Sequence, residues 1–181
     1  MPQGQPLVVP DDAMNDETLF FERAIAIGRA PEVKLDRVRA GAITAAALQT
    51  RGVVLYWDTA PSESSIAPLT TFLSNGGGVV QLAGRRTAAR GSTLSLLNAK
   101  ASGTADRLAD RGGSLRDLHF EHQLFAPFRE TQDAFTATRL LRYTRLDAPT
   151  NADILARFDD GLPAVLERTI GAGHVIAETI T

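Results

Sequence analysis

The chain has 181 residues, 44% hydrophobic and 22% charged, with a formal net charge of -2, which is enough apolar sequence to bury a core and argues against disorder. Arg and Lys are nearly balanced by Asp and Glu, so the chain carries no global electrostatic footprint for nucleic acid or for an anionic membrane surface. Cysteine is absent, which excludes disulfides, thiolate metal sites and a cysteine nucleophile.

No apolar run approaches the roughly 18 to 20 residues that span a bilayer, and Met1 to Pro6 lacks the basic-then-apolar order of a secretory signal. Leu7-Val8-Val9, between Pro6 and Pro10, reads as a strand. Asn15 or Asp16 then caps an expected helix whose apolar positions Leu19, Phe20, Ala24 and Ile27 recur at helical spacing, with Gly28 placed to end it. Val33 to Val38 gives a weaker strand signal, and Ala45 to Leu48 a short helix.

Val53-Val54-Leu55-Tyr56-Trp57 is a continuous β-branched and aromatic run, the pattern of a strand covered on both faces in a parallel sheet. Pro61 and Ser62 open the next helix, Ile66, Leu69, Phe72 and Leu73 give it an apolar face, and Asn75-Gly76-Gly77-Gly78 stops it. Val79 to Ala83 returns as a second buried strand ending at Gly84. Two strands joined by a helix within about thirty residues make a right-handed βαβ unit, so the core is expected to be α/β.

Arg85 to Gly113 is rich in Arg, Ala, Ser and Gly, with only Leu94, Leu96 and Leu97 as apolar anchors, and is expected to be a partly mobile excursion with one short helix. From Phe135 onward the expected elements are strands: Thr136 to Tyr143, Asp153 to Phe158, Pro163 to Arg168 and His174 to Thr179. Asp159-Asp160-Gly161 and Gly171-Ala172-Gly173 are turn signals between them. These strands are expected to pair antiparallel and extend one edge of the sheet.

Phe72-Leu73-Ser74-Asn75-Gly76-Gly77-Gly78-Val79-Val80 resembles a helix-end and strand element of class I glutamine-amidotransferase-like domains. It is followed by His122-Gln123-Leu124-Phe125, by Arg142-Tyr143, by Asp160 to Arg168 and by Gly171-Ala172-Gly173-His174-Val175. In that order the motifs are similar to the C-terminal portion of BatA-type, aerotolerance-related bacterial membrane proteins. Gln123 stands where that family commonly has proline. The resemblance implies a flavodoxin-like α/β domain with a mostly parallel central sheet flanked by helices and antiparallel C-terminal strands. It also implies one domain over residues 1–181, a parent protein anchored in the inner membrane by segments outside this chain, an extracytoplasmic position, and protein partners within that parent or its complex.

Active members of the amidotransferase class need a thiolate on a tight turn after a buried strand, oriented by a base. The resemblance aligns Val79 to Gly84 with that strand and turn, where Gln81, Leu82 and Ala83 offer no nucleophile, and no G-x-S-x-G element replaces it. The chain is therefore expected to be non-catalytic, without cofactor or metal. Asp58, Arg85, Arg86 and His122 are the polar groups expected around any ligand pocket, because the first three follow strand ends and His122 lies in a motif-bearing segment.

Blander readings stand beside each of these. Asp58 can simply cap the following helix, and Arg85 and Arg86 can be solvated surface groups. A hydrolase using Asp58, His119, Glu121 and His122 with water or metal is the alternative of a different class, since histidines three apart share a helical face. A structural spacer is a third. Gly76-Gly77-Gly78 precedes a strand instead of opening a helix, so it reads as a turn and not as a phosphate loop. His174 is expected to be a partly buried histidine in the late hairpin, and Trp57 a core residue.

Overall fold

Consecutive β-branched and aromatic residues leave little choice but extended backbone, and in the computed structural model β3 covers Arg51–Trp57. The structure describes residues 5–10, 23, 35–147 and 151–180. The helix expected around Leu19 and Ile27 and the strand position Val33 lie outside them. Contacts divide the chain into two compact units, Met1–Leu82 with Thr169–Val175, and Ala83–Arg168 with Ile176–Thr181.

In the first unit, β1 (Gln5–Pro10) pairs in parallel with both β2 (Asp36–Arg37) and β3, and β3 pairs in parallel with β4 (Gly78–Leu82). The β3–β4 register sets Val54 beside Val79 and Tyr56 beside Gln81. Those four residues, together with Leu7 and Val9 of β1, are almost wholly buried. The crossover helix α2 (Glu63–Ser74) presents Ser65, Leu69 and Leu73, four residues apart, as its buried stripe. Its N-cap is Ser62, and at its C-terminus Gly76 takes φ +91, a left-handed value that a glycine adopts freely. The short helix α1 (Ala45–Leu48) is capped by Thr44 Oγ1, which accepts from the Ala47 N–H at 3.3 Å.

In the second unit, α3 (Arg85–Ala89) is followed by the short strand β5 (Thr93–Leu94) and by β6 (Ala99–Asp106). The one short helix expected in Arg85 to Gly113 is α3, but the stretch also carries the strands β5 and β6, which its composition did not suggest. Strand β6 buries Ala99, Ala101 and Ala105 and exposes Lys100, Ser102, Thr104 and Asp106; the two-residue period is present but carried by alanine, a weak strand former. Strand β7 (Leu115–Arg116) comes next, and then a 3-10 segment (Ala126–Thr131) runs into α4 (Gln132–Ala137).

The expected strand Thr136 to Tyr143 therefore begins as a helix end, and only β8 (Arg142–Asp147) is extended. The reason is tertiary: Phe135 packs edge-on against Phe120, Phe125 and Phe128 at centroid distances of 6.2, 6.1 and 5.3 Å. Strand β8 also departs from the expected edge. It pairs antiparallel with β6 in a separate three-stranded sheet of order β5-β6-β8.

Strands β9 (Asp153–Phe158), β10 (Pro163–Ile170) and β11 (Gly173–Glu178) fall where the alternation and turn signals put them. Strand β9 pairs antiparallel with β10 and with β7. The larger sheet has the order β2-β1-β3-β4-β11-β10-β9-β7. The fold is mixed α/β, with a large, mostly parallel sheet flanked by helices and a small antiparallel sheet. The core of the second unit gathers Phe125, Tyr143, Leu155, Phe158 and Val165, and the Tyr143 ring stacks on Phe158 at 3.6 Å.

Candidate functional site

The carboxyl end of β3 delivers Asp58 in a left-handed conformation, φ +49, with its N–H donating to Leu82 O at 2.9 Å and only 8% of its surface exposed. A non-glycine residue forced to positive φ is strained by roughly 1–2 kcal/mol. The sharp bend of this unit is therefore at Asp58. At the end of β4, Gly84 is the N-cap of α3 with φ -100 and ψ -161, an extended conformation. The segment Gln81 to Gly84 thus carries no strained elbow as well as no nucleophile, which departs from the bend that the resemblance placed there.

The four expected ligand groups are distributed over both units: Asp58 belongs to the first, Arg85, Arg86 and His122 to the second. Arg85 is exposed and Arg86 half-buried, at the first two positions of α3. His122 sits in a turn and not on a helix, so its spacing from His119 gives no shared helical face. Among the described residues no group of three or more His, Cys, Asp or Glu side chains could hold a metal ion.

His122 has both ring nitrogens engaged. Nδ1 accepts from the Leu124 N–H at 3.2 Å, which places the ring proton on Nε2, and Nε2 lies 2.9 Å from Glu167 Oε2. Glu167 is only 8% exposed on β10. Glu121 is instead bonded to Arg129 Nη2 at 2.9 Å and its side chain is almost fully exposed. His174 is exposed on β11, contrary to the partly buried position expected for it, while Trp57 is half-buried beside a fully buried Tyr56.

Two polar features escaped the sequence reading. Arg107 Nη1 donates to Tyr143 Oη at 3.1 Å and to Asp159 Oδ1 at 2.9 Å, and Tyr143 Oη donates to Asp160 Oδ2 at 2.5 Å. Burial, with the Asp160 bond adding to it, pushes the Tyr143 phenol up to about 12. Glu178, half-buried on β11, has its carboxyl raised by burial alone. Only Asp159-Asp160-Gly161 was visible beforehand, as a turn; that its carboxylates also bond to Arg107, just after β6, and to Tyr143 on β8 left no local signal.

A cavity of about 450 Å³ opens in the first unit between α1 and α2, lined by Leu48, Pro68 and Phe72 with Arg51 at its edge. Arg51 pairs with Asp36 at 2.5 Å. It lies at the amino ends of β3 and β4, whereas ligands of open α/β sheets ordinarily bind outside the carboxyl ends, and none of the expected ligand residues lines it. No helix among the described residues is long and apolar enough to cross a membrane.

Neither a family model nor a curated protein matches the chain. Solved structures do. A cytoplasmic protein of Salmonella typhimurium LT2 is similar at 15% identity and a TM-score of 0.71, over 97% of this chain and 87% of that one. A ThuA-like protein of Bacteroides uniformis is similar at 14% identity and a TM-score of 0.68, over 99% and 82%. A β-galactosidase of Bacillus circulans is similar at 13% identity and a TM-score of 0.64, over 98% of this chain but 28% of the enzyme. At these identities the likeness shows the fold, and these neighbours fit a flavodoxin-like arrangement.

Proposed function

We propose that the chain is a non-catalytic, amidotransferase-like module that binds a ligand or a protein partner, within a membrane-anchored bacterial parent of the BatA type. The observation that carries this reading is the state of His122. A general base must hold a free lone pair within hydrogen-bond reach of the proton it removes, and here Nδ1 is taken by the Leu124 N–H while Nε2 is turned to Glu167. The absence of cysteine and the unstrained Gly84 at the end of β4 support the same reading.

A binding role is preferred over a mere spacer because α3 opens with two adjacent arginines, Arg85 exposed and Arg86 half-buried, whose guanidinium groups can grip a carboxylate. The membrane context, the extracytoplasmic position and the protein partners rest on the motif order from Phe72 to Val175. In this proposal Arg85 and Arg86, the first two residues of α3, contribute the polar contacts to a carboxylate-bearing ligand.

A second reading, a hydrolase, is favoured by one observation: the strained, buried Asp58 at a strand end, a place where backbone strain often accompanies chemistry. Incubation of the purified chain with glutamine and with activated esters separates the two readings. The module predicts no ammonia or alcohol release above the uncatalysed rate, and acetate or glutamate binding that weakens about tenfold or more in Arg85→Ala. Turnover that disappears in Asp58→Asn or His122→Ala would establish the hydrolase instead.

A further inference from the structure

Among the described residues, the central face of the first unit hides three polar side-chain atoms without a close hydrogen-bond partner. Gln81 on β4 is 1% exposed, and both its amide nitrogen and its amide oxygen are buried without a hydrogen-bond partner. Tyr56 on β3 is fully buried, and its phenol oxygen has no close partner either. The two residues are direct partners in the parallel β3–β4 register, so both side chains stand on one face of the sheet.

Ser65 of α2, also fully buried, is beside the phenol and offsets part of the burial that pushes it up to about 12. Its hydrogen bond to the phenol leaves both Gln81 amide atoms without a partner. Its hydroxyl already donates to Ser62 O at 2.7 Å and receives the Ser62 hydroxyl at 3.1 Å. Leaving a buried donor or acceptor unmade costs about 1–3 kcal/mol each, and native interiors rarely tolerate several such atoms side by side. A chain selected only for packing would place leucine or methionine at position 81, next to Val79 and Val54.

We propose that Gln81 and Tyr56 form an internal binding site, beneath α2, for one small uncharged molecule with both a hydrogen-bond donor and an acceptor: a water, or a short amide or alcohol. The charge follows from the atoms to be satisfied. An anion has no proton for Gln81 Oε1, and a cation has no lone pair for Gln81 Nε2–H or Tyr56 Oη–H. A molecule with both completes all three bonds, and an interior water usually makes about three. The site does not depend on the proposed binding role of Arg85 and Arg86, and it stands or falls by itself.

A crystal structure at a resolution that orders internal waters is the first test. Density within hydrogen-bond distance of both the Gln81 amide and Tyr56 Oη is expected; an amide rotated onto a protein group, with no density beside it, overturns the proposal. Mass spectrometry of the supernatant after precipitation of the purified protein separates the sources, because a stoichiometric organic molecule identifies an amide or alcohol and its absence with density present identifies water. Gln81→Met and Tyr56→Phe give an independent reading. A bound molecule predicts that each lowers the folding equilibrium constant about tenfold and that the double variant falls well short of the product of the two. Variants as stable as the parent, or more so, would show that the atoms are merely unpaired and overturn the proposal.

Discussion

His122 Nε2 stands 2.9 Å from Glu167 Oε2, and this contact fastens the His119–Phe125 turn to β10 in the second unit. The glutamate is only 8% exposed, so the hydrogen bonds its carboxyl oxygens would make to water must come from protein groups. His122→Ala removes one of them and is expected to cost about 1–3 kcal/mol in chemical denaturation. His122→Gln keeps an N–H for the carboxylate and recovers part of the loss. An unchanged midpoint in His122→Ala would mean that the contact contributes nothing to folding.

The turn between β10 and β11 is fixed by the absence of side chains. A Cβ on Gly173 would lie 2.3 Å from Gly77 O and 2.4 Å from Leu73 O, both backbone atoms that cannot move aside cheaply. Gly173→Ala is therefore expected to destabilise by about 3 kcal/mol, the upper range for overpacking. Gly161 is the control. Its φ is +85 but nothing lies within 4 Å of an added Cβ, so Gly161→Ala costs only the left-handed conformation, about 1–2 kcal/mol. Equal melting temperatures for the two variants would contradict the close approach at Gly173.

Local sequence carried much of this architecture. The run Val53 to Trp57, the stop at Asn75-Gly76 and the two late turns each state their structure in consecutive residues, so β3, α2 and the β9–β10–β11 meander were legible. Strand β6 was not, because its buried positions are alanines and its sheet partner β8 lies some forty residues away. The region around Phe135 misled for the opposite reason: β-branched threonines suggested a strand, and the packing of four phenylalanines decided for a helix end. For the site, residue type identified Asp58 and His122 as polar groups near strand ends or motifs. The engagement of both His122 nitrogens and the orphaned amide of Gln81 depend on which strands become neighbours, and no spacing in the chain encodes that.

Both tyrosines of the chain titrate late. Burial raises Tyr56 and Tyr143 alike from the ordinary 10.0 to about 12. A phenol whose folded value is raised contributes stability that is complete below pH 10 and is lost as pH climbs through the folded value. Tyrosinate absorbance in the native protein should thus stay flat past pH 10, and stability should fall between pH 10 and 12. Tyr143→Phe keeps the stack on Phe158 and is expected to flatten roughly half of that fall. A phenol titrating near 10 in the folded chain would refute the buried environment.

Glu178 behaves in the same sense at acid pH. Burial raises its carboxyl above the ordinary 4.5, so the folded chain holds that proton more tightly than the unfolded chain does. The stability this contributes is complete below the ordinary value and is lost as pH rises through the raised one, which leaves an ionised, desolvated carboxylate opposing folding at neutral pH. Glu178→Gln keeps the shape and removes the charge. It is expected to raise the melting temperature at pH 7 by roughly a few degrees, with the gain shrinking to nothing as the pH is lowered toward 4. A variant that melts below the parent at pH 7 would show instead that the carboxylate has a favourable partner whose charge it needs.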